Sequence, residues 1–406
     1  MVNTVAGRGA ASSPLERVKA AIQQELLVLD ISQESPSKSR AEEIAKRVKS
    51  YIWQTAPGAA EIHVEEQVNA FLLNGKEWEF LSEIRVDENA QSLDHRSLCS
   101  LLASTCYFLS KPQGWRKPAR SLWDGILKIF SNNNMGQQKR SADGSQAGIA
   151  SQSEGLKLTN LIHFVRRVKE ETVLTVLISC LVRLRNASGK VDEANSQREI
   201  SSSHSHLWPT AITNPGNVNF DHIGLALSGV VHHALSVQHQ NVSWLQTLGD
   251  IYLDSGNYSS AMRCYLEAGA ISSFFFNSPV PSTVWDDQVY RKMVTCCSAM
   301  KAHIQAALLC QCMEVKDYTT AFKTLQQASL ASSDAMDFYY SFFWDITMLE
   351  YLTFTHAKRG QNGKKLLTIQ AISQPELNIF NTSELLQHTE QSRKAKLLRT
   401  LAKQYL

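Results

Sequence analysis

The chain has 406 residues, 43% of them hydrophobic and 19% charged, with 41 basic against 38 acidic side chains and a formal net charge of +3. That apolar fraction excludes wholesale disorder, and ten prolines and nineteen glycines are too few for a collagenous or low-complexity chain. The near-balanced charge gives no electrostatic reason to expect direct nucleic-acid binding. The opening residues, Met1 to Ala10, lack an apolar core of signal-peptide length, so secretion is not expected. The longest apolar run, Val173 to Leu184, is broken by Thr175, Ser179 and Arg183. It falls short of the roughly 20 residues a membrane span needs, so no membrane contact is expected. The eight cysteines (Cys99, Cys106, Cys180, Cys264, Cys296, Cys297, Cys310 and Cys312) mostly sit in apolar helical stretches, as buried thiols do in a reducing compartment. That fits the cytosol or nucleus.

In chain order, Ser13-Pro14-Leu15-Glu16 reads as a helix start with a hydroxyl N-cap, proline at the first helical position and a carboxylate three residues in. Ser39-Arg-Ala-Glu42 repeats the capping box and opens a helix through Trp53, which Pro57-Gly58 stops. Amphipathic segments follow over 63–84, 94–110 and 119–131. Residues 1–130 thus form an N-terminal helical region, and 131–155 a polar linker with too little apolar surface to fold. The pattern predicts one long helix over 156–186, a second polar linker over 187–219 and a denser helical domain over 220–406. No period-2 alternation is present, so the fold class is all-α.

The stretch 242–275 carries a repeat signature. Leu245, Leu248, Gly249 and Tyr252 fall on one helix and Ala261, Tyr265 and Ala268 on the next, with the spacing of the 34-residue tetratricopeptide repeat. Gly249 and Ala261 are small where an antiparallel pair must approach closely, and Tyr252 and Tyr265 fill the groove. Asp254-Ser-Gly-Asn-Tyr258 supplies the turn, with Gly256 free to take a positive φ. Ser273 stands where the repeat usually has proline, which predicts a less sharply set exit. A weaker copy spans 302–335, with Leu308, Leu309, Cys312, Ala321, Leu325 and Ala328 in the matching places, though Gln305 and Leu309 depart from the usual large and glycine residues. An extra helix over 286–300 must separate the copies, giving a helical-hairpin, tetratricopeptide-like solenoid.

The segments WLQTLGDIYLDSGNYSSAMRCYLEAGAISSFFFNSPVPSTVWDDQVYRKMV (244–294), DYTTAFKTLQ (317–326) and DAMDFYYSFFWDITMLEYLT (334–353) closely resemble the C-terminal region of the eighth-subunit family of the Integrator complex. Members of that family are considerably longer, so the resemblance implies a C-terminal portion, a shortened isoform or a partial gene product. It further implies a non-catalytic scaffold in a nuclear assembly that attenuates RNA polymerase II transcription, processes small nuclear RNA 3′ ends and recruits protein phosphatase 2A. The implied partners are other Integrator subunits, protein phosphatase 2A and, indirectly, RNA polymerase II. The alternative is a tetratricopeptide-like, peptide-binding adaptor outside Integrator.

The sequence lacks phosphate-loop, dinucleotide-binding, nucleophile-elbow, His-Glu-x-x-His and Cys-x-x-Cys patterns, so no catalytic residue, metal or cofactor is expected. Cys310 and Cys312 point to different sides of a helix, which favours packing over ligation. His204 and His206 lie in the polar 187–219 stretch, where nothing would hold a metal ligand in place. Of His232 and His233, adjacent on a helix, one should be exposed and the other packed. Glu65-Glu66, Glu170-Glu171 and Asp286-Asp287 read as solvated faces or helix-start charges. The aromatic stretch 338–354 reads as a buried helix, with partner docking as the alternative. Phe274-Phe275-Phe276 is an exposed-patch candidate. Arg393, Lys394, Lys396, Arg399 and Lys403 on the last helix, about 383–405, are either dipole-complementing solvated charges or contacts for an acidic partner or an RNA backbone.

Overall fold

Short polar side chains start most of the C-terminal helices. Asn241 accepts from the Trp244 amide at 3.1 Å, Asp286 from Val289 at 2.9 Å, Asp317 from Thr320 at 3.0 Å and Asp345 from Met348 at 3.1 Å. Each satisfies an amide that the first helical turn leaves unbonded. The computed structural model describes residues 25–32, 38–54, 62–84, 95–110, 116–131, 158–187, 199–212, 215–328, 332–334, 336–378 and 380–406. Among these the secondary structure is helical apart from an isolated bridge between Ser131 and Val218. The start expected at Ser13–Glu16 and most of the 131–155 stretch lie outside the described residues.

The chain divides into two compact units, the first comprising Met1–Leu184 and His204–Ala226, the second Arg185–Ser203 and Leu227–Leu406. In the first, helices α1 (Lys38–Gln54), α2 (Ile62–Asn74), α3 (Trp78–Ser82), α4 (His95–Leu109) and α5 (Arg116–Ile129) follow a short helical segment over 25–31. α4 packs on α2, α3 and α5, burying Val68, Leu72, Leu98, Leu102, Leu122 and Trp123. α1 begins at Lys38, so Ser39 lies inside the helix and not at its cap.

The single helix expected over 156–186 is two: α6 (Leu158–Val165) and α7 (Glu171–Asn186). A tertiary clamp explains the break. Asn74, at the end of α2, accepts from the amides of Lys169 (2.6 Å) and Glu170 (3.2 Å) and donates to the Arg167 carbonyl at 2.9 Å. Glu170 then caps α7 by accepting from the Val173 amide at 2.9 Å. Satisfied in this way, the backbone leaves the helix without burying an unpaired group.

The 187–219 stretch contains packed structure. Trp208 is buried, stacks on Trp123 with centroids 6.4 Å apart, and donates from Nε1 to Ser179 Oγ at 2.8 Å. Glu65 and Glu66 are not solvated charges. Both are buried, Glu65 lying 3.3 Å from Arg96 and Glu66 3.5 Å from His95 and 3.6 Å from Arg167.

The second unit contains most of α8 (Phe220–Val237), then α9 (Val242–Asp254), α10 (Tyr258–Ser272), α11 (Asp287–Ala299), α12 (His303–Cys310) and α13 (Tyr318–Ala328). It continues through α14 (Met336–Tyr339), α15 (Ile346–Lys358), α16 (Asn362–Ile372) and α17 (Ser383–Tyr405). Successive helices pair from α9 to α13, α15 pairs with α16, and α17 returns to pack on α10. The aromatic stretch is not one helix: it breaks after Phe342 and restarts at Ile346. Tyr340, Phe343, Trp344, Met348 and Leu352 are buried, while Phe338 and Phe354 are exposed.

All eight cysteines are buried free thiols. Burial holds Cys106, Cys180 and Cys297 above the ordinary 9.0 and pushes Cys264, Cys296, Cys310 and Cys312 up to about 12. The native state therefore keeps protons that the unfolded state loses from about pH 9 upward, and stability must fall as pH rises from there through the native values. Urea midpoints are expected to hold steady below about pH 8.5 and to drop by about pH 10.5; a flat or rising profile would contradict thiol burial.

Candidate functional site

The α9–α10 hairpin is built on close approach. A Cβ at Gly249 would sit 2.7 Å from Tyr265 Cε1, so only glycine admits the ring. Ala261, Tyr265 and Ala268 are fully buried, Leu245 and Leu248 nearly so, and Tyr252 partly. Gly256 turns the chain at φ 77°, where it meets no steric opposition. Exposed His232 contacts the Tyr252 hydroxyl at 3.1 Å through Nε2, while its neighbour His233 is half-buried. In the second hairpin Leu308, Leu309, Cys312, Ala321, Leu325 and Ala328 are all buried.

Tyr265 also leads to a group of residues with no repeat signature. Its hydroxyl donates to Asp250 Oδ1 at 2.6 Å, and burial together with that carboxylate raises its pKa, which keeps it a proton donor. Asp250 Oδ2 accepts from Lys292 Nζ (2.8 Å) and from the Ser201 amide (2.7 Å). Lys292 donates further to the Glu199 carbonyl (2.9 Å), and Thr247 to the Ser201 carbonyl (3.0 Å). Asp250 and Lys292 are each only 3% exposed. This buried ion pair straps residues 199–201 across α9 and α11. The signal available in the sequence was slight: Asp250 interrupts the apolar run of α9, and Lys292 stands beside Arg291 in α11.

Glutamines fill the same role further on. Gln305, a departure in the second repeat copy, donates to Tyr339 Oη at 2.9 Å and Gln404 Oε1 at 3.0 Å, and accepts from Tyr405 Oη at 3.0 Å. Gln311 donates to the Phe342 carbonyl (3.0 Å) and accepts from the Trp344 amide (3.2 Å), holding the break in the aromatic stretch. His356 sits buried between Tyr340 Oη (2.7 Å) and Gln361 Oε1 (2.8 Å), and desolvation lowers its pKa.

The exit of α10 is sharply set, contrary to the expectation from a missing proline. Ser273 Oγ donates to the Gly269 carbonyl at 2.6 Å and accepts from the Phe276 amide at 3.0 Å. Phe274, Phe275 and Phe276 then follow with φ of 49°, 59° and 59°. Each such residue costs about 1–2 kcal/mol relative to the right-handed region. The turn divides the three rings: Phe276 is buried against Trp285, while Phe274 is 79% and Phe275 53% exposed.

The five cations of α17 do not act alike. Arg393 is buried, donating to the Phe343 carbonyl at 2.6 Å, to Gln374, and to Glu376 at 3.4 Å. Lys394 donates to the Cys312 carbonyl at 2.9 Å and lies 4.9 Å from the centroid of the Tyr290 ring. Arg399 donates to the Phe276 carbonyl (2.8 Å) and Asn277 Oδ1 (2.9 Å). Lys396 and Lys403 are exposed. Among the described residues no group of three or more His, Cys, Asp or Glu could hold a metal ion, and His204 and His206 meet edge-to-face at 6.1 Å. No helix among the described residues is long and apolar enough to cross a membrane.

Comparison with known proteins agrees with this architecture. The chain is 37% identical over 399 residues to Integrator complex subunit 8 of Homo sapiens, and 38% identical over 401 residues to the Xenopus laevis protein of that name. Either alignment covers 96% of this chain but only 39% of the relative, so the chain spans well under half the length of the curated relatives it matches. An Integrator complex subunit 8-like protein of Dictyostelium discoideum is 24% identical over 172 residues, 41% of this chain and 85% of its own length. A family model described as "INTS8, TPR repeats" matches residues 2–405. With the hairpin geometry of α9–α13, that match over nearly its whole length places the chain in the Integrator complex subunit 8 family.

Proposed function

We propose that this chain is a non-catalytic scaffold subunit of the nuclear Integrator complex. In that reading it supports attenuation and termination of RNA polymerase II transcription, small nuclear RNA 3′-end processing and recruitment of protein phosphatase 2A. The contacts are protein–protein contacts, first with other Integrator subunits and only indirectly with the polymerase. The observation that carries the proposal is the family match over 2–405, laid on a unit of stacked helical hairpins. Stacked hairpins present long surfaces to partners while their interiors are committed to packing. The buried polar residues fit this role: Asp250 and Lys292 bond each other, and Gln305, Gln311 and Arg393 each bond the 339–343 segment.

The test is affinity purification of the tagged chain from nuclear extract at moderate salt, read by mass spectrometry. Integrator subunits together with phosphatase 2A are the expected recovery. Integrator subunits without the phosphatase would assign recruitment to family regions absent from this chain. Recovery of neither would refute the scaffold reading and favour an adaptor outside Integrator.

A further inference from the structure

Between the turn that follows α10 and the helix α17 lies a cleft of about 660 Å³. Phe276, Pro279, Val280 and Leu398 give it apolar lining, and Lys394, Lys396 and Arg399 bring positive charge to it from one helix. Glu390 is the single acidic residue among the described residues that line it. Lys394 and Arg399 direct their hydrogen bonds at neutral oxygens, the carbonyls of Cys312 and Phe276 and the side-chain amide of Asn277. Lys396 points to solvent. The strained turn above the cleft is held to α17 by Arg399 and carries the exposed rings of Phe274 and Phe275 beside it. Consecutive non-glycine residues in the left-handed region persist only where the surroundings enforce them, and such strain gathers at clamps and binding sites.

We infer that this cleft docks an extended acidic segment of a partner protein, its carboxylates meeting Lys394, Lys396 and Arg399 and an apolar side chain entering between Val280 and Leu398. At about 100° per residue, Lys396 and Arg399 share one side of α17, about 4.5 Å apart along its axis, while Lys394 flanks the cleft from the other side. Aliphatic lining suits a Leu or Phe side chain better than a nucleobase, which stacks on exposed aromatic platforms. The inference rests on the scaffold reading for its biological setting, since it assigns one of that scaffold's contact surfaces.

The test uses the full chain and a fluorescein-labelled ten-residue probe peptide, with glutamate at alternate positions and leucine and phenylalanine between them. Binding is read by anisotropy, beside a control peptide with glutamine for glutamate and an oligouridine RNA of similar length. The acidic peptide is expected to bind, and to bind about tenfold more weakly when salt rises from about 50 to about 300 mM. Lys396→Glu and, separately, Val280→Asp are expected to weaken it about tenfold or more. The melting midpoint of Lys396→Glu should be unchanged, because that side chain makes no contact on which packing depends. Equal binding of the glutamine control, no binding of the acidic peptide, or affinity indifferent to both variants would overturn the inference. So would RNA binding that depends on Lys396 in place of peptide binding. If the wild-type chain recovers Integrator subunits from extract yet ignores the acidic peptide, the cleft assignment fails and the scaffold reading stands. If it binds the peptide but recovers no Integrator subunit, the scaffold reading fails and the cleft survives as a peptide site.

Discussion

Lys292→Ala is expected to lower the free energy of unfolding by about 3–5 kcal/mol, the usual cost of removing one partner of a buried ion pair. The substitution leaves the buried Asp250 carboxylate with the Ser201 amide and Tyr265 hydroxyl as its remaining donors, and removes the Lys292 bond to the Glu199 carbonyl. It also releases residues 199–201 from α11, which should appear as faster amide exchange at Ile200 and Ser201. Asp250→Asn should cost less, because an amide oxygen still accepts from Lys292 although the charge attraction is gone. Lys292→Met combined with Asp250→Leu is expected to recover part of the loss and no more. The pair is replaced by packing, but the Tyr265 hydroxyl and the Ser201 amide keep no acceptor. Urea denaturation of the three variants measures this series. A loss below about 1 kcal/mol for Lys292→Ala would show that the pair is not the lock the geometry implies.

The second large effect belongs to the glycines that face aromatic rings. Gly269→Leu should cost about 3 kcal/mol or more, at or beyond the upper end of overpacking penalties. A Cβ there would already lie 2.3 Å from Trp285 Cζ2. That ring is 3% exposed and wedged between Phe276 and Tyr290, with centroids at 5.9 and 5.5 Å, so it has nowhere to retreat. Gly249→Leu should behave alike against Tyr265 and disturb its bond to Asp250 as well. Gly256→Ala is the instructive contrast. Its φ of 77° is strained for alanine, but nothing lies within 4 Å, so the expected loss is about 1 kcal/mol. Melting midpoints of the three variants distinguish steric exclusion from backbone preference. Gly256→Ala falling below Gly269→Leu would reverse the assignment.

Helical periodicity was legible in most of the described helices, but caps were not always so: Ser39, read as a helix start, lies inside α1. The α9–α10 hairpin, its Gly256 turn, the extra helix α11 with Asp286 at its start and the second hairpin follow from spacing and side-chain type alone. Boundaries that depend on distant groups were not. No property of residues 166–170 announces a break; the helix ends there because Asn74, nearly a hundred residues earlier, takes the amides of Lys169 and Glu170. The aromatic stretch likewise reads as one helix and is cut by Gln311 from α12's end.

Charge misled for the same reason. Glu65, Glu66 and Arg393 look like solvated surface in a linear reading, yet each is buried against partners that only the folded chain supplies. The polar 187–219 stretch carries too few apolar residues to make a core of its own, but Ile200 and Trp208 are buried by helices remote in sequence. By itself, the sequence determined the all-α class and the repeat hairpins, because these rest on local periodicity and on residue types that one helix imposes on its neighbour; the family was legible only as a resemblance of whole segments. The tertiary structure decided where helices break, which charges are internal and which face carries the cationic cleft. Those outcomes depend on hydrogen-bond partners and desolvation between residues far apart along the chain, which spacing does not encode.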